Sequence, residues 1–149
     1  MPGGLPFIDE HSVEIEAEIQ TVWDSLIRSF GSATGGGLFA LYGRAIGVEP
    51  LNRNGVLDEI GSTQIGFRVS EAFAPELLVL RGRHRFSNYS LTWRLAPGDH
   101  AATRLSAITH AEFPGIQGRI YKALVIDSGT HGRVTRRMLS SIARQSTRT

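Results

Sequence analysis

Hydrophobic and polar residues alternate in several stretches of the chain, which is the pattern of β-strands with one buried face. The stretches that we predict as strands are His11–Ala17, Thr63–Glu71, Leu77–Phe86, Tyr89–Leu95 and Thr103–Phe113. Turn signals separate them: Asn54-Gly55 before the second strand, Asn88 before the fourth, and Pro97-Gly98-Asp99 before the fifth. We therefore expect neighbouring strands to pair in antiparallel fashion.

The same alternation predicts which side chains point inward. On Leu77–Phe86, one face carries Arg81, Arg83 and Arg85, so we expect that face to meet solvent and His84 to lie on the buried face. The last strand places small residues inward, which leaves room beneath the sheet: Ala107, Thr109 and Ala111. The aromatic side chains predicted to point inward are Phe67, Phe86, Tyr89, Trp93 and Phe113.

Spacings of three and four predict helices on both sides of these strands. One helix runs from Ile19 and ends at Gly31; a glycine-rich segment, 32–37, and a short second helix, Leu38–Ile46, follow it. A long helix is predicted from Gln117 to Gln145, with a kink or close packing at Gly129 and Gly132. Its predicted inner stripe is Ile120, Leu124, Asp127, His131, Val134, Met138 and Ile142.

Length and composition favour one globular domain that spans residues 1–149, with residues 1–10 loosely ordered. The chain contains no cysteine, shows no signal-peptide pattern at its start, and has no apolar run near the roughly 18 residues of a membrane span. We therefore expect a cytoplasmic protein without stable membrane insertion. A formal net charge of only +2 argues against a nucleic-acid partner.

Several short segments look like those of a known superfamily. They are Ile15-Glu16-Ala17 running into Val22-Trp23-Asp24-Ser25-Leu26, then Gly61-Ser62, Thr92-Trp93-Arg94-Leu95 and Thr103-Arg104-Leu105. With the order of elements, they resemble the START-like helix-grip superfamily (SRPBCC), which includes polyketide cyclase/dehydrase and lipid-transport-like proteins. The resemblance implies an α+β fold, in which a curved antiparallel sheet wraps around a long C-terminal helix and two short helices follow the first strand. It also implies a pocket for a small hydrophobic ligand.

Other chemistries find no support in the sequence. The glycines of 31–37 lack the Lys and Ser or Thr of a phosphate-binding loop, and no Gly-x-Ser-x-Gly motif indicates a serine hydrolase. The histidines form no HExxH motif or similar ligand set, so we expect no metal and no cofactor. We expect His11, His100 and His110 at the surface.

Three ionisable residues are candidates for the chemistry of a site: His84, Asp127 and His131. Asp127 and His131 lie four residues apart on the predicted inner stripe, where an unpaired polar group is costly. The pair is either a structural hydrogen bond within the helix or the polar end of a ligand site. The complete predicted ligand-binding set is Phe67, His84, Phe86, Tyr89, Trp93, Thr109, Phe113, Leu124, Asp127 and His131.

The sequence leaves three functional hypotheses open. The first is binding or carriage of a lipid-like, aromatic or polyketide-like molecule between the sheet and the C-terminal helix. The second is a cyclase or dehydratase in which His131, oriented by Asp127, moves a proton on such a molecule. The third is a polyanion or protein-interaction module that uses the outward arginines on Leu77–Phe86 and at the C-terminus. The sequence does not indicate an oligomeric state.

Overall fold

The computed structural model describes residues 4–34, 41, 44–50, 54–55, 57–64 and 66–147. These residues form the strands β1 (Phe7–Ile15), β2 (Thr63–Gln64), β3 (Phe67–Phe73), β4 (Leu77–His84), β5 (Ser87–Pro97) and β6 (Thr103–Glu112). The helices are α1 (Ile19–Thr34), α2 (Gly115–Lys122) and α3 (Thr130–Thr147), with a π-helical segment, Ala123–Asp127, between the last two. Residues 44–46 form a further helical turn between α1 and β2.

The strands form one antiparallel sheet in the order β1-β6-β5-β4-β3-β2. This arrangement confirms the predicted α+β fold. The predicted alternation is seen around Arg94 of β5, which is exposed between the buried Trp93 and Leu95. Elsewhere on β5 and β6, residues predicted to face outward are buried as well: Ser90, Thr92, Ser106 and Ile108. The turn between β4 and β5 differs from the prediction, since the chain reverses at 85–86 and Asn88 already pairs with β4 and β6.

The hydrophobic core lies between the inner face of the sheet and two helices. The apolar face of α1 contributes large buried side chains, including Trp23, Leu26 and Phe30, and α3 contributes Leu139 and Ile142. The strands supply the opposite side of the core: Ile15, Val69, Leu78, Leu80, Trp93, Leu95, Leu105 and Ala107. Because α1 and α3 both pack on this face, the sheet and the helices enclose the space between them.

The start of the chain is more ordered than predicted. Residues 7–10 belong to β1, so the prediction of loose order was wrong for them. The reason is that β6 is long enough to offer backbone partners beyond His11: Phe7 pairs with His110, and the carbonyl oxygen of Pro6 accepts a hydrogen bond from the Ala111 amide at 2.9 Å. Pairing with residues 7–10 gives hydrogen-bond partners to backbone groups of β6 that an uncovered sheet edge would leave unpaired.

The strand predicted at 63–71 is divided in two. Gly66 adopts a φ of +83°, a left-handed conformation that glycine reaches without steric strain. The chain reverses there. Thr63 and Arg68, which were predicted to lie in one strand, are therefore paired across the two strands β2 and β3. Earlier in the chain, α1 continues through Gly31 to Thr34, and Leu41 and 44–46 are helical as predicted; residues 35–40 and 42–43 lie outside the described residues.

The long C-terminal helix is interrupted, as the glycines predicted. Gly129 has a φ of +83° and separates the π-helical segment from α3. On the α3 side the predicted stripe is confirmed for Met138, which is partly buried, and Ile142, which is fully buried, whereas Val134 is 53% exposed. On the other side it is wrong, because the side chains of Ile120 and Leu124 are 57% and 68% exposed.

Candidate functional site

A cavity of about 360 Å³ lies between the inner face of the sheet, α1 and the interrupted C-terminal helix. Most of its wall is aliphatic or aromatic: Phe30, Ile46, Val48, Phe67, Leu91, Trp93, Ala111, Phe113, Tyr121, Val125, Ile126, Val134 and Met138. The polar residues on the wall are fewer: His84, Ser87, Tyr89, Ser90, Thr109, His131 and Thr135. The site is therefore an apolar space with a small number of hydrogen-bonding groups at its edge.

The structure brings seven of the predicted ligand-binding residues to this wall: Phe67, His84, Tyr89, Trp93, Thr109, Phe113 and His131. Their contact with a ligand stays a prediction. Phe86 does not line the cavity, and its ring stacks on that of the lining residue Tyr121 at a centroid distance of 5.3 Å. Strand alternation was a sound guide here, because successive side chains of a strand point to opposite faces.

The placement predicted for Leu124 and Asp127 is wrong. Leu124 is exposed, and the Asp127 carboxylate lies 3.5 Å from the Lys122 ammonium on the outside of the helix. The prediction extended the inner stripe of α3 backwards with α-helical spacing. A π-helical turn takes more residues than an α-helical one, and Gly129 breaks the helix, so the stripe changes phase. Tyr121, Val125 and Ile126 face the cavity instead.

His131 points into the cavity but has a different carboxylate partner. Its Nε2 atom lies 3.1 Å from Thr109 Oγ1 and 3.5 Å from Asp9 Oδ1. The second contact lies within the distance of an ion pair to a protonated imidazole but is not a hydrogen bond, since Asp9 Oδ1 has no hydrogen-bond partner within the described residues. Asp9 and Thr109 are direct cross-strand neighbours in β1 and β6. The sheet register therefore places the carboxylate beside His131.

His11 also belongs to this group, contrary to the predicted surface position. Its Nε2 atom lies 3.3 Å from Asp9 Oδ2, and its side chain is only 21% exposed. No sequence signal indicated Asp9, because an irregularity between Phe7 and Asp9 interrupts the alternation of β1. Asp9 and His131 are also separated by most of the chain, so local pattern could not join them.

The other polar end of the cavity is built around His84. The backbone amide of Phe86 donates a hydrogen bond to His84 Nδ1 at 3.1 Å. Burial lowers the pKa of His84 below its usual 6.5, because desolvation disfavours the imidazolium. Nearby, the Tyr89 hydroxyl donates to the Gly66 carbonyl oxygen at 2.6 Å, and burial raises the pKa of Tyr89. Both groups are therefore uncharged at neutral pH.

Several residues of the wall were missed or assigned elsewhere. Phe30 stood on the predicted apolar face of α1, but only its packing against Phe67 and Trp93 places it at the cavity. Tyr121 and Val125 are four residues apart, a spacing that places both on one face of a helix. The neighbouring Ile120 and Leu124 have the same spacing and were chosen as the inner face. Periodicity alone could not decide between two adjacent stripes.

Two further observations concern metal ligands and membrane-spanning helices. Within the part of the chain that the structure describes, no group of three or more His, Asp or Glu side chains could hold a metal ion. None of the described helices is long and apolar enough to cross a membrane.

The fold is shared with solved structures of several proteins. A protein from Nitrosospira multiformis superposes with a TM-score of 0.59 at 14% sequence identity, covering 93% of this chain and 95% of that one. Ara h 8.0201 superposes with a TM-score of 0.54 at 8% identity, covering 93% and 95%. DynU16, a protein of the dynemicin biosynthetic locus, gives 0.50 at 17% identity, covering 91% of this chain and 45% of that one.

The chain has the helix-grip fold. At these identities the likeness shows the fold alone, and function must be argued from the site. No protein-family profile matches the chain, and a search of curated proteins found no match either.

Proposed function

We propose that the protein binds a small, mostly apolar molecule, of the lipid-like, aromatic or polyketide-like class, in the cavity between the sheet and the C-terminal helix. The observation that supports this most directly is the cavity itself. Protein cores are close-packed, and an apolar void larger than a few water molecules costs stability unless a ligand fills it. A space of about 360 Å³ with a mostly apolar wall has the size and character of a ligand site.

The packing of aromatic side chains against one another in the cavity wall also supports the proposal. Phe30 packs edge-to-face against Phe67 and Trp93, with centroid distances of 5.2 Å and 6.1 Å, and Phe67 packs against Tyr89 at 5.5 Å. Such pairs are favourable in this geometry. All four rings belong to the cavity wall, so the wall offers ring surfaces to an apolar ligand.

Filling the cavity with a side chain is expected to abolish binding without unfolding the protein. Ala111 is 4% exposed and lines the cavity, so Ala111→Phe would place a ring in the ligand's space. We expect affinity for the uncharged fluorescent probe N-phenyl-1-naphthylamine to fall at least about tenfold, equivalent to about 1.4 kcal/mol. Native mass spectrometry of freshly purified protein would show whether a copurified molecule is lost at the same time.

Ala96→Phe is the matched control, because Ala96 lies on β5 among residues of the opposite face and does not line the cavity. Both variants should retain wild-type circular dichroism. Equal probe affinity in wild type and Ala111→Phe, with both folded, would contradict the proposal.

A second candidate function is proton transfer on the bound molecule, and the contact between His131 and Asp9 favours it. With a proton on His131 Nε2, donated to Thr109 Oγ1 and favoured by the nearby carboxylate of Asp9, the lone pair of Nδ1 becomes the basic atom of a neutral ring. Asp9 then takes the orienting role predicted for Asp127. In such a step His131 accepts a proton from a carbon beside a ligand carbonyl and returns it to the same molecule.

Deuterium exchange would detect this step without knowledge of the natural substrate. In D₂O, the methyl protons of 2-acetylnaphthalene should exchange faster with wild-type protein than with His131→Gln, by about 10²-fold if His131 is a general base. Proton NMR measures the loss of the methyl signal, and equilibrium dialysis confirms that both proteins bind the ketone. Equal exchange rates at equal occupancy would leave binding as the function.

A further inference from the structure

The cavity wall contains no permanently charged side chain among the described residues. Its ionisable groups are imidazoles and phenols, and no Lys, Arg, Asp or Glu contributes to the wall. A buried charge without a partner is costly. A ligand that carries a carboxylate or an ammonium group inside this space would therefore lose its hydration without gaining a permanently charged partner on the described wall, and an uncharged ligand avoids that loss.

The hydrogen bond from the Phe86 amide determines which nitrogen of His84 carries the proton. A backbone N–H only donates, so Nδ1 must present its lone pair to it. Because burial lowers the pKa of His84, the ring is neutral at pH 7.5, and its single proton is then on Nε2. No described residue accepts a hydrogen bond from Nε2–H.

The surroundings of His84 leave Nε2–H as an available donor at this end of the cavity. The Tyr89 hydroxyl already donates to the Gly66 carbonyl oxygen, and the Ser87 hydroxyl donates to the Asn88 carbonyl oxygen at 3.3 Å. The ring of Tyr121 lies against His84 at a centroid distance of 4.8 Å, and the ring of Tyr89 lies at 5.6 Å. The donor is thus surrounded by flat aromatic surface.

We infer that His84 binds an uncharged acceptor oxygen, such as the carbonyl of a planar aromatic ketone, by donating a hydrogen bond from Nε2–H. This inference rests on the proposed function and specifies the class of its ligand. The aromatic rings around His84 pack against the plane of the ligand, while the donor fixes the orientation of its oxygen.

Three naphthalenes of similar size separate the possibilities: 2-acetylnaphthalene has an acceptor, 2-ethylnaphthalene has none, and 2-naphthoate is an anion. Their affinities are measured by equilibrium dialysis at pH 7.5 for wild type, His84→Leu and His84→Gln. The quantity to compare is the ratio of ketone affinity to hydrocarbon affinity, because any change of cavity shape affects both probes alike. His110→Leu is the control, since His110 does not line the cavity.

We expect the ketone-to-hydrocarbon ratio to fall about fivefold in His84→Leu, as for the loss of one hydrogen bond. It should stay within about twofold of wild type in His84→Gln, whose amide can donate, and in His110→Leu. We also expect 2-naphthoate to bind more weakly than the ketone.

An unchanged ratio in His84→Leu, an equal fall in both His84 variants, or naphthoate binding as tight as that of the ketone would overturn the inference and leave the proposed function intact. If wild type bound none of the three probes, the proposed function itself would fail, and this inference with it.

Discussion

Replacing Trp93 with alanine is expected to lower the free energy of unfolding by about 4 kcal/mol, the largest stability effect that we predict. Trp93 is 0% exposed, lies in the hydrophobic core, and packs its ring edge-to-face against Phe30. Its removal takes away a large buried apolar surface and merges the space that it filled with the neighbouring cavity. Urea denaturation followed by far-UV circular dichroism measures the change.

Trp93→Phe is the control for this prediction. The indole nitrogen of Trp93 is buried without a hydrogen-bond partner among the described residues, so phenylalanine loses ring volume but no polar contact. We expect Trp93→Phe to cost less than about half as much as the alanine variant. A loss below about 1 kcal/mol for Trp93→Ala would show that this side chain is not packed as the structure describes.

The second large effect is expected for Gly82→Ala, which should destabilise the protein by about 3 kcal/mol. A Cβ atom at Gly82 would stand 1.9 Å from the Gly66 carbonyl oxygen and 2.7 Å from the Tyr89 hydroxyl. These are the two atoms of the hydrogen bond between β5 and the β2–β3 turn. The methyl group would have to push them apart, and the buried phenol would lose its acceptor. Thermal melting of the variant measures the effect.

Tyr89→Phe measures one part of this effect, and Gly61→Ala gives the cost of a Gly→Ala change that causes backbone strain without a clash. Gly61 has a φ of +89° with no atom within 4 Å of an added Cβ, so its substitution measures backbone strain alone, about 1 kcal/mol. Tyr89→Phe measures the lost hydrogen bond alone, also about 1 kcal/mol. If Gly82→Ala proved no more destabilising than either control, the close approach of these strands would be wrong.

Both positions lie at or beside the cavity, so stability and binding are coupled there. Gly82 allows the Tyr89 ring to pack close to β4, and that ring is part of the cavity wall next to His84. Variants at these positions therefore need a folding measurement before any loss of binding is assigned to ligand contacts. Ala111→Phe and the His84 variants are better tests of the site, because they change the wall without removing a core element.

The alternating strands were the part of the structure that the sequence determined most completely. On β5 and β6 the period of two is a local property of extended backbone, so the inward position of Tyr89, Trp93 and Thr109 followed from the sequence alone. The apolar face of α1 and the break at Gly129 were predictable for the same reason, since helical spacing and glycine conformation act within a few residues.

Tertiary structure decided the phase of the helix before that break. Sequence periodicity allowed either Leu124 or Val125 to face inward, and the π-helical segment selected Val125. π-helical turns are rare and occur mostly as single turns within α-helices, so α-helical spacing was extended through this segment in the prediction. The prediction that Asp127 pairs with His131 failed at this step.

Tertiary structure also supplied the partners of both histidines at the cavity. Asp9 meets His131 only because β1 pairs with β6 in a register that sets Asp9 opposite Thr109. The proton of His84 is assigned to Nε2 only because the turn at 85–86 directs the Phe86 amide at Nδ1. Sequence alone determined which faces are apolar and where a ligand space could form. The polar contacts within that space depend on atoms that are distant in the chain or set by the exact path of a turn, and only the folded structure brings them together.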